Sequence, residues 1–198
     1  KTNEVIITVP EGFNLKQIED RLVGANLTKR NELINYKFSK DGPPILSDKP
    51  KSASLEGYLF PDTYRFFKDA NLSDIVSKMI NNLDNKLTPD LKTAIKNSPY
   101  STYEILTMAS LIEKEIPKDS DRPMVAGILW KRLRAGVPLQ VDATLVYITG
   151  RNEIYEADKK INSPYNTYYY RGLPKGPISN PGISAIRATI YPQNSSYW

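Results

Sequence analysis

The sequence predicts an α+β protein: a small β-α-α-β unit, then a larger domain of helices and short strands. Three features of the apolar pattern carry that prediction. β-Branched and aromatic runs stand at both ends of the first 68 residues, helical spacing holds from about residue 73 to 133, and beyond Gly136 tyrosine, glycine and proline take over. That last stretch holds eight of the thirteen tyrosines. The boundary falls between residues 1–68 and 69–198, and 40% hydrophobic content can supply a core to each.

Residues 5–9 are β-branched and end at Pro10, which reads as a strand. Asn14 with Gln17 three residues on forms a capping box for a helix carrying Leu15, Ile18, Leu22 and Val23, punctuated by Gly24. Thr28 can cap a second short helix through Leu33 and Tyr36. Residues 40–54, with Gly42-Pro43-Pro44 and Pro50, read as a hinge loop. Residues 55–67, interrupted by Gly57 and Pro61, fit a bulged or edge strand that closes the unit against the first strand.

Ile75, Val76, Met79, Ile80, Leu83 and Leu87 then repeat at helical spacing. Thr88-Pro89 starts the next helix with a cap and a proline at its first position. Ser101 and Glu104 form another capping box, for a helix whose apolar set is Ile105, Met108, Leu111 and Ile112 and which Pro117 stops. Asp119 or Ser120 caps a helix with Val125, Ile128, Leu129 and Leu133, closed by Gly136. The alternation in Gln140-Val141-Asp142-Ala143-Thr144 predicts a strand with Gln140, Asp142 and Thr144 on one face.

Two absences narrow the chemistry. With no cysteine there is no disulfide, thiolate nucleophile or cysteine zinc site; with no histidine there is no imidazole acid/base, serine triad of the usual kind or HExxH site. Catalysis falls to carboxylates, Tyr, Lys, Ser/Thr or backbone groups, with no metal or cofactor expected. The net charge is +5, from 27 Lys+Arg against 22 Asp+Glu. Its basic residues are scattered and no nucleic-acid signature accompanies them. No apolar run approaches the roughly 20 residues of a membrane span, and Lys1 in place of a start Met suggests a trimmed or processed segment.

One stretch stands out as a site. Glu113 and Glu115 lie two apart on a helix and point about 200° from each other, so only one can face a given cleft. Glu115 stacks over Leu111, Ile112 and Met108, the apolar stripe, whereas Glu113 lies over Ala109 and Ser110. A carboxylate beside apolar groups at the negative end of a helix favours its protonated form, as a general acid requires. The plain alternative is a solvated, charged helix end. Around Tyr165-Asn166-Thr167-Tyr168 and residues 176–182, aromatics and amides suit a sugar cleft, although turn chemistry explains them too.

Five ordered blocks make the chain recognisable. They are Leu55-Glu56-Gly57-Tyr58-Leu59-Phe60-Pro61-Asp62-Thr63-Tyr64; Ala109-Ser110-Leu111-Ile112-Glu113-Lys114-Glu115; Arg132-Leu133-Arg134-Ala135-Gly136 with residues 139–144; Tyr165-Asn166-Thr167-Tyr168; and Gly172-Leu173-Pro174 through Asn180-Pro181-Gly182. Together they resemble the endolytic murein transglycosylase, or YceG-like, family. The resemblance implies that the β-α-α-β unit is LysM-like and that the second domain cleaves peptidoglycan strands internally between N-acetylmuramic acid and N-acetylglucosamine. The ends left would be 1,6-anhydromuramyl. It places the catalytic glutamate on Glu115, with Gln140, Asp142, Thr144, Tyr64, Tyr165 and Asn166 as candidate glycan contacts. It also implies an N-terminal membrane anchor absent from this chain, a place on the outer face of the bacterial cytoplasmic membrane, cell-wall synthases as partners and a role in ending glycan strands. Family members continue past Trp198 with a segment containing a histidine, so truncation at the C-terminus is expected. A non-catalytic glycan-binding or scaffold protein of cell-wall synthesis is the competing reading.

Overall fold

The computed structural model describes residues 3–38 and 42–198. The β-branched start finds its partner far along the chain: strand β1 (Glu4–Thr8) pairs antiparallel with β2 (Thr63–Phe67), Glu4 opposite Phe67 and Thr8 opposite Thr63. Ile7, Tyr64 and Phe66 turn inward while Ile6 and Phe67 remain exposed, the alternation that a sheet with one covered face requires. Between the strands lies helix α1 (Leu15–Gly24), started by the expected Asn14/Gln17 capping box.

The second helix expected from Thr28 to Tyr36 is a run of turns. Asn26 and Asn31 sit at φ 58° and 68°, which no helix accommodates, and side chains take the backbone donors that a helix would pair. Glu32 accepts from the Lys29 amide at 2.9 Å, and buried Glu19 accepts from Leu33 and Ile34 at 3.0 and 3.2 Å. Of the expected strand over 55–67, only the last five residues pair, because Gly57 at φ +88° and Pro61 turn the chain before it. In the expected hinge of 40–54, Lys40 and Asp41 lie outside the described residues; a short 3-10 turn spans Pro44–Leu46.

Helices follow in succession: α2 (Leu72–Lys86), α3 (Pro89–Lys96), α4 (Thr102–Glu115), α5 (Arg122–Arg134), α6 (Asp142–Thr149) and α7 (Ile183–Ile190). Thr88 caps α3 and the Ser101/Glu104 box caps α4, both as the sequence implied. α5 has Asp121 at its N-cap in place of Asp119 or Ser120, and the Asp121 side chain makes no cap. Beyond β2 no further strand exists among the described residues, so the short strands expected in the second domain are absent.

The expected strand at 140–144 is instead the lead-in and first turn of α6. Its β-branched residues disfavour a helix locally, but burial of Ala143, Thr144 and Leu145 outweighs that preference, and Gly150 at φ 70° closes the element.

Two apolar cores share their central helices. One gathers β1, α1, residues 55–60, β2, α2 and α3; the other gathers α5, Leu139, Val141, Ala143 and Ile178. α4 contributes Leu106 and Ala109 to the first core and Met108, Leu111 and Ile112 to the second; α7 contributes Ile186 and Ala185 respectively. All eight residues 105–112 are buried, so α4 is surrounded on every side for two turns and emerges only at its two ends.

Candidate active site

The end of α4 carries Glu113 and Glu115, and each receives an amide from the start of another helix. Glu113 Oε2 accepts from Gly182 N at 3.0 Å, the N-cap of α7, while its Oε1 accepts from Arg122 Nη2 at 2.9 Å. Both side chains of that ion pair are almost fully buried, at 5% and 6% exposure. Arg122 also donates from Nε to Ile116 O at 3.0 Å and approaches Asp119 at 3.0 Å, so Glu113 belongs to a closed structural network. The nearby Glu11 carboxyl is pushed up by burial and by the Glu113 charge.

Glu115 is half-buried, and Oε1 accepts from Ala143 N at 2.9 Å. Val141 at the N-cap of α6 lacks a side-chain acceptor, so Glu115 caps that helix from 28 residues away. The sequence reading placed it against the negative end of α4; the positive end of α6 meets it as well. Its Oε2 has no hydrogen-bond partner, and the carboxylate no cation, among the described residues.

Ala143 at the start of α6 and Tyr168 of the 165–168 loop lie by this carboxylate. The Tyr168 hydroxyl donates to Asp142, and burial, that bond and the charges of Asp142 and Glu115 push its pKa up to about 12. Gln140, at φ 55°, donates its amide to Thr167 O at 3.1 Å and accepts from Arg132 Nη2 at 2.7 Å. Tyr165 is half-buried with its ring 5.0 Å from that of Tyr147, and burial followed by the Glu56 charge raises its hydroxyl.

Three of the residues expected on the glycan take other places. Thr144 is 0% exposed and its hydroxyl is bound between Val141 O and Thr167 Oγ1, so it offers nothing to a ligand. Asn166, 1% exposed, donates to the carbonyls of Asp158, Lys159 and Ile161 and accepts from the amides of Tyr168 and Tyr169; it holds the loop in shape. Tyr64 lies on β2 beside α2, with its hydroxyl donating to Phe60 O at 2.5 Å and accepting from Asn82 at 3.0 Å. Its groove is a different one, lined by Asp62, Arg65, Lys78 and Asn81.

Glu56 is the residue that sequence reasoning passed over. Its carboxyl is 3% exposed, accepts from Leu15 N at 3.0 and 3.1 Å and from Asn180 Nδ2 at 3.0 Å, and meets the Tyr147 hydroxyl at 3.3 Å. Burial pushes its pKa up to about 8. The signal was its place before Gly57, whose φ of +88° and contact with Pro177, 2.6 Å from where a Cβ would stand, press the segment against the C-terminal loop. No group of three or more acidic residues among the described residues is placed to hold a metal.

Comparison with known proteins places these residues in context. Residues 1–198 match the YceG-like family. The endolytic murein transglycosylase of Bacillus subtilis (strain 168) is 35% identical over 206 aligned positions, covering 96% of this chain and 57% of the relative. That of Streptococcus pneumoniae serotype 2 (strain D39 / NCTC 7466) is 33% identical, covering 93% of this chain and 38% of the relative. A crystal structure of a YceG-like protein from Listeria monocytogenes superposes with a TM-score of 0.81 at 32% identity, covering 98% of this chain and 68% of that one.

Proposed function

Because the chain belongs to the YceG-like family, we propose that it carries the catalytic part of an endolytic peptidoglycan lytic transglycosylase, cutting between N-acetylmuramic acid and N-acetylglucosamine within strands. The observation that carries this reading is the contrast at the end of α4. Glu113 has one oxygen on Arg122 and the other on Gly182, whereas Glu115, bonded through Oε1 to Ala143 next to the Asp142–Tyr168 pair, keeps Oε2 without a protein partner among the described residues. The names of the relatives from Bacillus and Streptococcus support the same activity, although the chain spans only part of their length.

A single carboxyl group suffices for the reaction. Protonated Glu115 donates to the glycosidic oxygen as the bond to the muramyl C1 breaks, and charge develops as an oxocarbenium ion. The resulting carboxylate takes the proton of the muramyl C6 hydroxyl, whose oxygen closes on C1. One 1,6-anhydro end forms, no water is consumed and the proton returns to Glu115. The Ala143 amide keeps Oε1 in place through both transfers, so the proton is carried on the other oxygen. Gln140, Asp142 and Tyr165 flank the strand; Thr144 and Asn166 hold the elements that present them. Within the same reading the β1-α1-β2 unit of residues 1–68 is the LysM-like module and residues 69–198 the catalytic domain. Anchoring at the outer face of the cytoplasmic membrane beside cell-wall synthases is part of the same proposal and has only family membership in its support. No helix among the described residues is long and apolar enough to cross a membrane.

Mass spectrometry of the products from purified peptidoglycan strands tests the proposal. Muropeptides with 1,6-anhydromuramyl ends are expected from the native chain and none from Glu115→Gln. Reducing ends would make the protein a hydrolase, and binding without product would favour a scaffold.

A further inference from the structure

A groove of about 530 Å³ runs between α1 and α6; its lining includes Lys114 and Ala143, and the Ala143 amide is bonded to Glu115. From Ala143 to Gly150 the helical wall is about 10 Å long, room for a disaccharide. Ala143, Val146 and Ile178 give it apolar patches suited to a sugar face.

The opposite wall is made almost wholly of donors, for a reason legible in the cap of α1. The capping box engages the carbonyl oxygens of both Asn14 and Gln17 with backbone amides, which leaves the two side-chain NH2 groups at the groove. Lys16 beside them and Lys114, whose stem lies against Gly12, are exposed, and neither ammonium has a hydrogen-bond or ion-pair partner among the described residues. Asp20, the one carboxylate on this wall, is held by Arg30. A donor-rich wall with two unpaired cations suits a ligand rich in acceptors and carrying negative charge.

The width of the groove is fixed by Glu56. Its buried carboxyl holds the first amide of α1 at Leu15 and the Tyr147 hydroxyl of α6 together, one helix from each wall. A site whose walls are tied this way is preorganised for its ligand.

We propose that this groove binds the glycan strand on one side of the cleavage point, and that Lys16 and Lys114 recognise the free lactyl carboxylates of N-acetylmuramic acid residues that carry no stem peptide, so that the groove favours peptide-free stretches of strand. The inference rests on the transglycosylase reading for its substrate class. It adds that α1, outside the second domain, contributes to substrate choice.

The test titrates Glu115→Gln protein with peptide-free strands of alternating N-acetylglucosamine and N-acetylmuramic acid, and with chitin oligosaccharides of equal length, which lack the carboxylate. The muramyl strand should bind about tenfold more tightly at low salt, an advantage that added salt erodes. Adding Lys16→Gln and Lys114→Gln should bring the two ligands to near equality while an unchanged melting temperature reports the intact fold. If the double substitution keeps the preference, or weakens both ligands alike, the groove assignment is overturned. Product analysis of the native chain separates the two readings. Anhydro ends with a lysine-independent preference would remove the groove and keep the transglycosylase; a lysine-dependent preference without anhydro ends would do the reverse.

Discussion

Glu113 and Glu115 stand two residues apart, cap two different helices and should respond differently to the same substitution. Glu115→Gln keeps an oxygen for the Ala143 amide but cannot give and take a proton, so the fold stays and the rate of cleavage falls by about 10² to 10⁴. Glu115→Ala should add a loss of about 1 kcal/mol in urea unfolding, the cost of an emptied helix cap. Glu113→Gln leaves buried Arg122 with only the solvent-exposed Asp119 as counter-charge and should destabilise by about 2 to 4 kcal/mol, while the molecules that remain folded keep their cleavage rate. An inactive but fully stable Glu113→Gln would reverse the assignment. Glu56 adds a pH dependence of its own. Its carboxyl ionises near 4.5 in the unfolded chain and near 8 in the folded one, so between those values the unfolded state releases its proton first and stability falls as pH rises. Below 4.5 and above about 8 this residue contributes no slope. Glu56→Gln, which mimics the protonated form, should flatten that decline in thermal melts from pH 5 to 8. By helix spacing Glu115 could be proposed as the acid. Glu56 could not, because its burial is decided by Asn180 and Tyr147, whose approach no local pattern encodes.

Among the elements, legibility follows the distance between a helix and its cap. α1, α3 and α4 carry their own capping residues within three positions and were readable; α6 takes its cap from Glu115 and was read as a strand. The turns after Thr28 were likewise fixed by Glu19, an acceptor on a neighbouring element. The loop 165–168 is fastened to the start of α6 by Tyr168 on Asp142 and by the Gln140 amide on Thr167 O. Tyr168→Phe should therefore cost about 0.5 to 1.5 kcal/mol in stability and raise KM more than it lowers kcat, with helix content by circular dichroism unchanged. A fall in kcat alone would instead put the Tyr168 hydroxyl in the proton transfers.

At the scale of the whole molecule, the C-terminal residues close against α5. Gln193 donates to Pro123 O at 2.8 Å, its own carbonyl lies 1.9 Å from where a Cβ on Gly127 would stand, and Trp198 sits under Lys131 with 4.1 Å from ammonium to ring centroid. Gly127→Ala should lift this tail and expose the Gln193 amide to hydrogen exchange, leaving β1 and α1 protected. Protection unchanged at Gln193 would mean that α5 itself shifts to admit the methyl group.

Asn180 joins the first and last thirds of the chain: it donates to Phe13 O, accepts from the Leu59 amide and bonds Glu56, all by one side chain. The backbone repeats the link: Gly12 N donates to Asn180 O at 3.0 Å and Asn180 N donates to Phe13 O at 2.8 Å. During synthesis this knot cannot be tied until residue 180 has left the ribosome, so the strand pair and α1 wait, partly unsatisfied, for most of translation. Under the proposed function, cleavage competence then arrives late and at once, and no partly made form can cut.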